Sequence, residues 1–148
     1  MTAVATEKDV FKRVEAILYS YPQMKKEIQM IRESIMFDKE EIDENVGGGR
    51  PSLPGKPTER IATRLAMDRD LEQLERIVQA IEEVYNSLPN EYKRLIQLRY
   101  WTSRKYRWEK KMTWERIADE LHVSQTTVYL WRREIIEAIA ERLEEEGA

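Results

Sequence analysis

The most constraining feature of this sequence is the stretch from Met112 to Ile136, MTWERIADELHVSQTTVYLWRREII. Its apolar residues recur at helical spacing on both sides of a break that is too short for an ordinary linker. Thr113 is predicted to cap a first helix and Ser124 a second, because hydroxyl side chains accept hydrogen bonds from the free N–H groups of a first turn. The stretch therefore predicts two helices joined by a tight turn at His122 and Val123.

The spacing also predicts how these two helices meet. Ala118 supplies the small residue that a steep crossing needs, and Val123 supplies an apolar corner, while Val128 and Trp131 bury the second helix against the first. His122 stands where a glycine with positive φ is usual, and histidine is among the other residues found there more often. This is the helix-turn-helix arrangement, in which the second helix lies in the DNA major groove. An ordinary helical hairpin that uses the same apolar positions is the alternative.

Several side chains of the second helix lie off its predicted buried stripe and would remain exposed. Arginine and glutamine bind guanine and adenine edges, threonine contacts a base or a phosphate, and tyrosine reaches a phosphate. The composition of this face therefore favours DNA contact over the plain hairpin. The exposed residues are predicted to be Gln125, Thr126, Tyr129, Leu130, Arg132 and Arg133.

The charge of the chain is unevenly distributed, although its net value is −3. From Glu91 to Thr113 eight Lys and Arg face two Glu, whereas from Glu134 onward six Glu face one Arg. A local basic patch attracts phosphate whatever the global sum is, so we expect the basic segment to contact the DNA backbone. The alternative is that these charges only solvate a surface whose aromatic residues are core. The candidate phosphate contacts are Arg104, Lys105, Arg107, Lys110, Lys111 and Thr113.

Composition argues against several other functions. The chain has no cysteine and one histidine, so disulfides and thiolate metal sites are excluded, and we expect no metal and no cofactor. No nucleophile–base pair or partnered carboxylate cluster is apparent, so we expect no enzyme. No apolar run approaches the roughly 20 residues of a membrane span, and residues 1–12 lack the apolar centre of a secretory signal. We expect a protein of the cytoplasm that makes no membrane contact.

The remaining sequence predicts an all-α fold interrupted by one Gly/Pro-rich segment. An amphipathic helix over residues 6–21 is expected to be interrupted at Pro22 and to resume in phase up to Ile35. This heptad-like seam would pack against a partner helix or within the chain. The seam residues are Val10, Val14, Ile17, Tyr21, Met24, Ile28, Ile31 and Ile35.

Residues 38–58 hold four of the five glycines and three of the five prolines, so they are predicted to be a linker. The GGGR at its centre lacks the Gly-Lys-Ser/Thr that a phosphate-binding loop requires. A long helix from Glu59 to Asn86 and a shorter one from Pro89 to about Trp101 follow. The predicted organisation is an N-terminal helical region (1–37), the linker (38–58) and a helical DNA-binding domain (59–148) with its helix-turn-helix at 113–136.

Two segments together, LPNEYKRLIQLRYW and TWERIADELHVSQTTVYLWRREI, resemble region 4 of bacterial sigma factors, which binds the −35 promoter element. Adding YPQMKKEI, DENVGGGRPS and PTERIA, nearly the whole chain resembles the RinA-type late transcription activators of phages that infect Gram-positive bacteria, neighbours of the ArpU-type regulators. The resemblance implies promoter binding that activates late packaging and structural genes with host RNA polymerase, in the host bacterial cytoplasm. The base-contacting residues that it implies are Ser124, Gln125, Thr126, Tyr129 and Arg133, with Arg132 nearby.

Two other classes of function remain open at this point. Small terminase subunits also join a DNA-binding helical domain to an oligomerising region, but they form large rings, whereas an activator is expected to be a monomer or a dimer through its N-terminal or central helices. A protein that engages RNA polymerase without touching DNA is the third reading.

Overall fold

The computed structural model describes residues 6–45, 57–102 and 110–147. Within these ranges the chain is all-α, as predicted, and consists of five helices without a strand. They are α1 (Glu7–Asn45), α2 (Pro57–Ser87), α3 (Asn90–Arg99), α4 (Trp114–Leu121) and α5 (Gln125–Gly147). Because α1 continues through 38–45, the helix extends further into the expected linker than composition predicts. The Gly47–Gly49 segment lies outside the described residues.

Pro22 does not interrupt α1, in contrast to the prediction, and the helix passes through it. A proline inside a helix lacks the N–H that would bond the carbonyl four residues earlier, here that of Leu18. The indole N–H of Trp101 donates to that carbonyl at 3.1 Å. Trp101 also stacks on Tyr21, with 4.5 Å between ring centroids. A residue from elsewhere in the chain therefore supplies the hydrogen bond that Pro22 removes, and the helix continues.

The chain forms two compact units. Unit 1 contains the residues up to Pro22 together with those from Gln79 onward, and unit 2 contains Gln23–Val78. This grouping cuts through α1 and α2, whereas the predicted division followed the Gly/Pro composition. The reason is that the first part of α1 bonds to residues much later in the sequence, such as Trp101.

Unit 1 contains most of the buried apolar residues. Its helices α3, α4 and α5 pack against one another. Leu18 is fully buried, although the predicted seam passed through Ile17, which is only half-buried. Val14 and Ile28 of the predicted seam are buried, so the buried side of α1 follows the predicted periodicity with a local shift to Leu18. The buried residues of unit 1 are Val14, Leu18, Ala80, Ile81, Val84, Leu95, Ile96, Tyr100, Ile117, Ala118, Val128, Ile135, Ile136 and Ile139.

Unit 2 consists of the later part of α1 and the earlier part of α2. Ile28 and Val78 are its buried hydrophobic residues in the described ranges, each with 7% exposure. Arg32 and Glu75 form an ion pair between the two helices. Five large apolar side chains of this unit are more than half exposed: Met30, Met36, Phe37, Ile61 and Leu65.

Candidate nucleic-acid interface

The turn between α4 and α5 is built by local backbone chemistry, as the sequence predicts. The Thr113 hydroxyl accepts the Arg116 N–H at 3.2 Å and caps α4. His122 lies in the left-handed region at φ 57° and ψ 42°. The Val123 N–H then donates to the Ala118 carbonyl at 3.0 Å, and the His122 N–H to that of Asp119 at 3.2 Å. This pair of bonds closes the C-terminal end of α4 and turns the chain within three residues.

The start of α5 is capped by Ser124, whose hydroxyl accepts the Thr127 N–H at 3.2 Å. Val128 is fully buried beneath this end of the helix. Trp131 was predicted to pack on the first helix of the pair, but its ring stacks on Tyr92 of α3, with 5.1 Å between centroids. The N-terminal part of α5 is therefore held in place both by contact with α3 and by the turn.

One side of α5 faces solvent near its N-terminus, and we call it the α5 face. Gln125 and Thr126 are exposed, and Tyr129 keeps 45% of its surface accessible. Arg133 is exposed and forms an ion pair with Glu137 at 3.0 Å, one helical turn further on. Such exposed pairs contribute little to stability, so Arg133 is available for another acceptor. The α5 face consists of Gln125, Thr126, Tyr129, Leu130 and Arg133.

Arg132 does not belong to the α5 face: it was predicted to be exposed, but its side chain is mostly shielded from solvent. Its guanidinium binds the Glu15 carboxylate of α1 through two hydrogen bonds of 2.8 and 2.9 Å. The Arg132 side chain is 25% exposed and that of Glu15 is 16% exposed. Helical spacing puts Arg132 at the edge of the buried stripe, but its partner lies 117 residues away, where no local pattern reveals it.

The Glu15–Arg132 pair belongs to a wider cluster around Trp114. Two guanidinium groups lie over the Trp114 ring, that of Arg99 at 4.4 Å and that of Arg132 at 4.9 Å from its centroid. Arg99 also donates to the Met112 carbonyl at 2.5 Å. Such cation–π contacts and shared hydrogen bonds connect α1, α3, α4 and α5. The cluster therefore fixes the orientation of α5 relative to the rest of unit 1.

Ionisation in this cluster follows from its contacts. Partial burial alone would raise the pKa of the Glu15 carboxyl, but hydrogen bonds from Arg132 and Tyr100 and the charges of Arg132 and Arg99 outweigh it, so the pKa lies below its ordinary value. Burial and the same hydrogen bond raise the pKa of Tyr100, whose hydroxyl donates to Glu15 at 2.6 Å. Desolvation lowers the pKa of Arg132, but the bond to Glu15 outweighs it and the net shift is upward. The pair is therefore charged at neutral pH.

The predicted phosphate contacts are only partly within the described residues. Arg104, Lys105 and Arg107 lie outside them. Lys110 and Lys111 are exposed just before α4, and the Lys111 ammonium lies 3.8 Å from the centroid of the Tyr19 ring. Cations therefore flank the start of α4, as the charge pattern predicts.

A groove of about 720 Å³ runs beside the α5 face, between α1 and α5. Phe11, Ile136 and Ala140 are among its apolar lining residues, and Tyr129 and Arg133 also line it. The N-terminal turns of α1 therefore adjoin the α5 face, a proximity that the sequence analysis missed because it treated α1 as a separate region. The charged side chains that line the groove are Glu7, Lys8, Lys12, Glu15, Arg132, Arg133 and Glu137.

The described residues contain neither a metal-binding cluster nor a membrane-spanning helix. Across residues 6–45, 57–102 and 110–147, no group of three or more His, Cys, Asp or Glu is placed to hold a metal ion. Of the helices in those same ranges, none has the length and apolar character to cross a membrane.

The described helices define an all-α protein in which a capped helix presents an exposed polar face beside a tight turn. The chain belongs to a family described as "Protein of unknown function (DUF722)", whose model matches residues 10–141. No curated protein and no solved structure matches the chain.

Proposed function

We propose that this protein binds double-stranded DNA sequence-specifically and activates the late packaging and structural genes of a phage, acting near their promoter with host RNA polymerase in the host bacterial cytoplasm. The observation that carries the proposal is the α5 face. Gln125, Thr126 and Arg133 are exposed together on a capped helix that follows a three-residue turn. A helix presented in this way fits the major groove with its N-terminal residues toward base edges.

The residues around the α5 face have different tasks. Gln125, Thr126, Tyr129 and Arg133 contact bases, with Ser124 at the helix start near the backbone. Lys110 and Lys111 bind phosphate, which adds affinity without sequence preference. The acidic residues toward the end of α5, such as Glu141, keep that end away from the duplex. The activating role and the RNA polymerase partner rest on the resemblance to RinA-type activators and to sigma factor region 4.

Selection of binding sites from a random duplex pool tests the DNA-binding part. We expect the full chain to enrich one sequence motif. We expect Arg133→Ala to weaken binding to that motif by about 1–3 kcal/mol while binding to random DNA changes less, as for a base-edge contact. The matched control is Arg76→Ala, because Arg76 is also an exposed arginine in a one-turn ion pair, with Glu72, but lies in unit 2.

Two outcomes would contradict this function. Absence of any enriched motif would favour a protein that engages RNA polymerase without DNA. Equal losses for Arg133→Ala and Arg76→Ala, or equal losses on specific and random DNA, would remove the base-contacting role of Arg133.

The exposed apolar side chains of unit 2 favour self-association, and we include a homodimer through the N-terminal or central helices in the proposal. Met30, Phe37, Ile61 and Leu65 are each more than half exposed. Light scattering of the protein–DNA complex separates the activator from the second candidate, a small terminase-like packaging protein. A monomer or dimer supports the activator, and a large ring supports packaging.

A further inference from the structure

Two large apolar side chains stand out on the surface of unit 1. Tyr129 and Leu130 are 45% and 53% exposed, and they are its exposed large hydrophobics among the described residues. The others, such as Leu65, are in unit 2. An adjacent apolar pair on an otherwise polar face indicates a contact surface. Both residues belong to the α5 face, beside the polar residues proposed to contact bases.

Leu130 shares its side of α5 with the residues proposed to contact bases. It follows Thr126 by four positions and precedes Arg133 by three, and residues at these spacings are neighbours on one side of a helix. Tyr129 lies beside it, and the Tyr129 ring is 6.1 Å from that of Trp114 in the buried cluster. The position of Leu130 is therefore held by the same anchored helix that holds Thr126 and Arg133.

The chemistry of leucine restricts what Leu130 can contact in the major groove. Its side chain neither donates nor accepts hydrogen bonds, so it forms no favourable polar contact with phosphate oxygens or with the polar base edges. The C5-methyl group of thymine is the apolar feature that the major groove presents. We propose that Leu130 contacts the C5-methyl group of a thymine, which fixes a thymine in the recognised site beside the bases that Thr126 and Arg133 contact. This inference rests on the proposed DNA-binding function.

The test replaces single thymines of the selected site by uracil, which removes the methyl group and leaves the pairing edge intact. At one thymine in each half-site, we expect the uracil substitution to weaken binding by the wild-type chain about fourfold. This is the size of effect expected for the loss of one buried methyl-sized group. The Leu130→Ala variant is expected to bind the thymine and uracil duplexes equally at that position.

Two further variants keep the test decisive. Leu130→Gln keeps a side chain at least as long as that of leucine but ends it in a polar amide, and it is also expected to lose the sensitivity to uracil, so the result does not depend on Leu130→Ala alone. Leu143→Ala is the control, because Leu143 is a half-buried leucine toward the end of α5, the end that is proposed to stay away from the duplex. It is expected to keep the sensitivity of the wild-type chain.

The outcomes separate this inference from the function on which it rests. If the pool yields no enriched motif, the DNA-binding function itself fails. If a motif is enriched but no thymine in it is sensitive to uracil, or if Leu130→Ala and Leu130→Gln keep that sensitivity, the function stands and the thymine contact is overturned. The latter result would assign Tyr129 and Leu130 to a protein partner instead.

Discussion

Both units of this protein expose large apolar side chains, but they do so in different settings. In unit 1 the exposed pair, Tyr129 and Leu130, lies on a helix whose opposite side is fully buried at Val128 and Ile135. In unit 2 the exposed residues are spread over two helices, and the buried residues there are few in the described ranges. An exposed apolar pair above a complete core fits the proposed binding surface, whereas several exposed apolar side chains on a sparse core fit the proposed self-association of unit 2.

The polar contacts differ in the same way. In unit 1 the Glu15–Arg132 pair is largely shielded from solvent, and the Arg132 guanidinium lies over the Trp114 ring. In unit 2 the Arg32 and Glu75 side chains are 57% and 40% exposed. Breaking a shielded pair leaves one charge in a mostly buried position without its partner, whereas exposed pairs contribute little. We therefore expect unit 1 to carry most of the stability of the isolated chain.

The largest expected effect on stability comes from substitutions in the cores of the two units. We expect Ile135→Ala to destabilise unit 1 by about 3 kcal/mol, because it leaves a cavity beside fully buried neighbours. Changing the half-buried Ile31 of unit 2 to Ala should lower the free energy of unfolding much less. All four tryptophans lie between residues 101 and 131. Urea unfolding followed by tryptophan fluorescence therefore reports on unit 1, while circular dichroism reports on all helices. An equal shift of the fluorescence midpoint by both variants would contradict the comparison.

Removal of the shielded carboxylate comes next. We expect Glu15→Gln to cost about 2 kcal/mol, because it leaves the Arg132 guanidinium in a mostly buried position without its counter-charge. The exposed Glu33, which accepts a hydrogen bond from Gln29, provides the control Glu33→Gln and should change stability little. A similar loss of stability for both variants would mean that the Glu15 carboxylate in the Trp114 cluster does not stabilise unit 1.

The same pair predicts a dependence on pH. The pKa of Glu15 is lower in the folded chain than its ordinary value. Its contribution is therefore fully present above the unfolded pKa of about 4.3 and is lost as the pH falls through the folded pKa. We expect the stability difference between the wild-type chain and Glu15→Gln to narrow in acid. A difference that stays constant from pH 7 into that range would rule out the charged pair as its origin.

A smaller effect is expected where Trp101 compensates for Pro22. Trp101→Phe keeps a ring on Tyr21 but removes the donor to the Leu18 carbonyl. With Pro22→Ala in place, the restored backbone N–H can take over that carbonyl, so we expect Trp101→Phe to cost about 1 kcal/mol less than it does with Pro22 present. A double-mutant cycle measured by chemical unfolding gives this coupling. If the changes in the free energy of unfolding simply add, the Leu18 carbonyl does not couple Trp101 to Pro22.

The smallest effect is expected at the turn. His122 adopts a positive φ, which glycine does without strain, so His122→Gly should stabilise unit 1 by roughly 0.5–1 kcal/mol. Thermal unfolding provides the measurement. A destabilised variant would show that the His122 side chain makes a contribution beyond its backbone conformation.

The parts of the fold that depend on neighbouring residues were predictable from the sequence. The caps at Thr113 and Ser124, the positive φ of His122 and the buried Val128 all depend on residues within one or two helical turns. The partner of Arg132 was not predictable, because Glu15 is more than a hundred residues away and no local pattern links them. The uninterrupted helix at Pro22 was missed for the same reason, since the compensating donor is the distant Trp101.

The most direct test of the α5 face is dimethyl sulfate footprinting of the full chain on the DNA that flanks its own gene. Dimethyl sulfate modifies guanine N7, which faces the major groove. We expect a short, discrete set of protected guanines for the wild-type chain and for Arg76→Ala, and loss of that protection for Arg133→Ala. Protection that is absent in the wild-type chain, or that persists unchanged in Arg133→Ala, would contradict a helix α5 bound in the major groove.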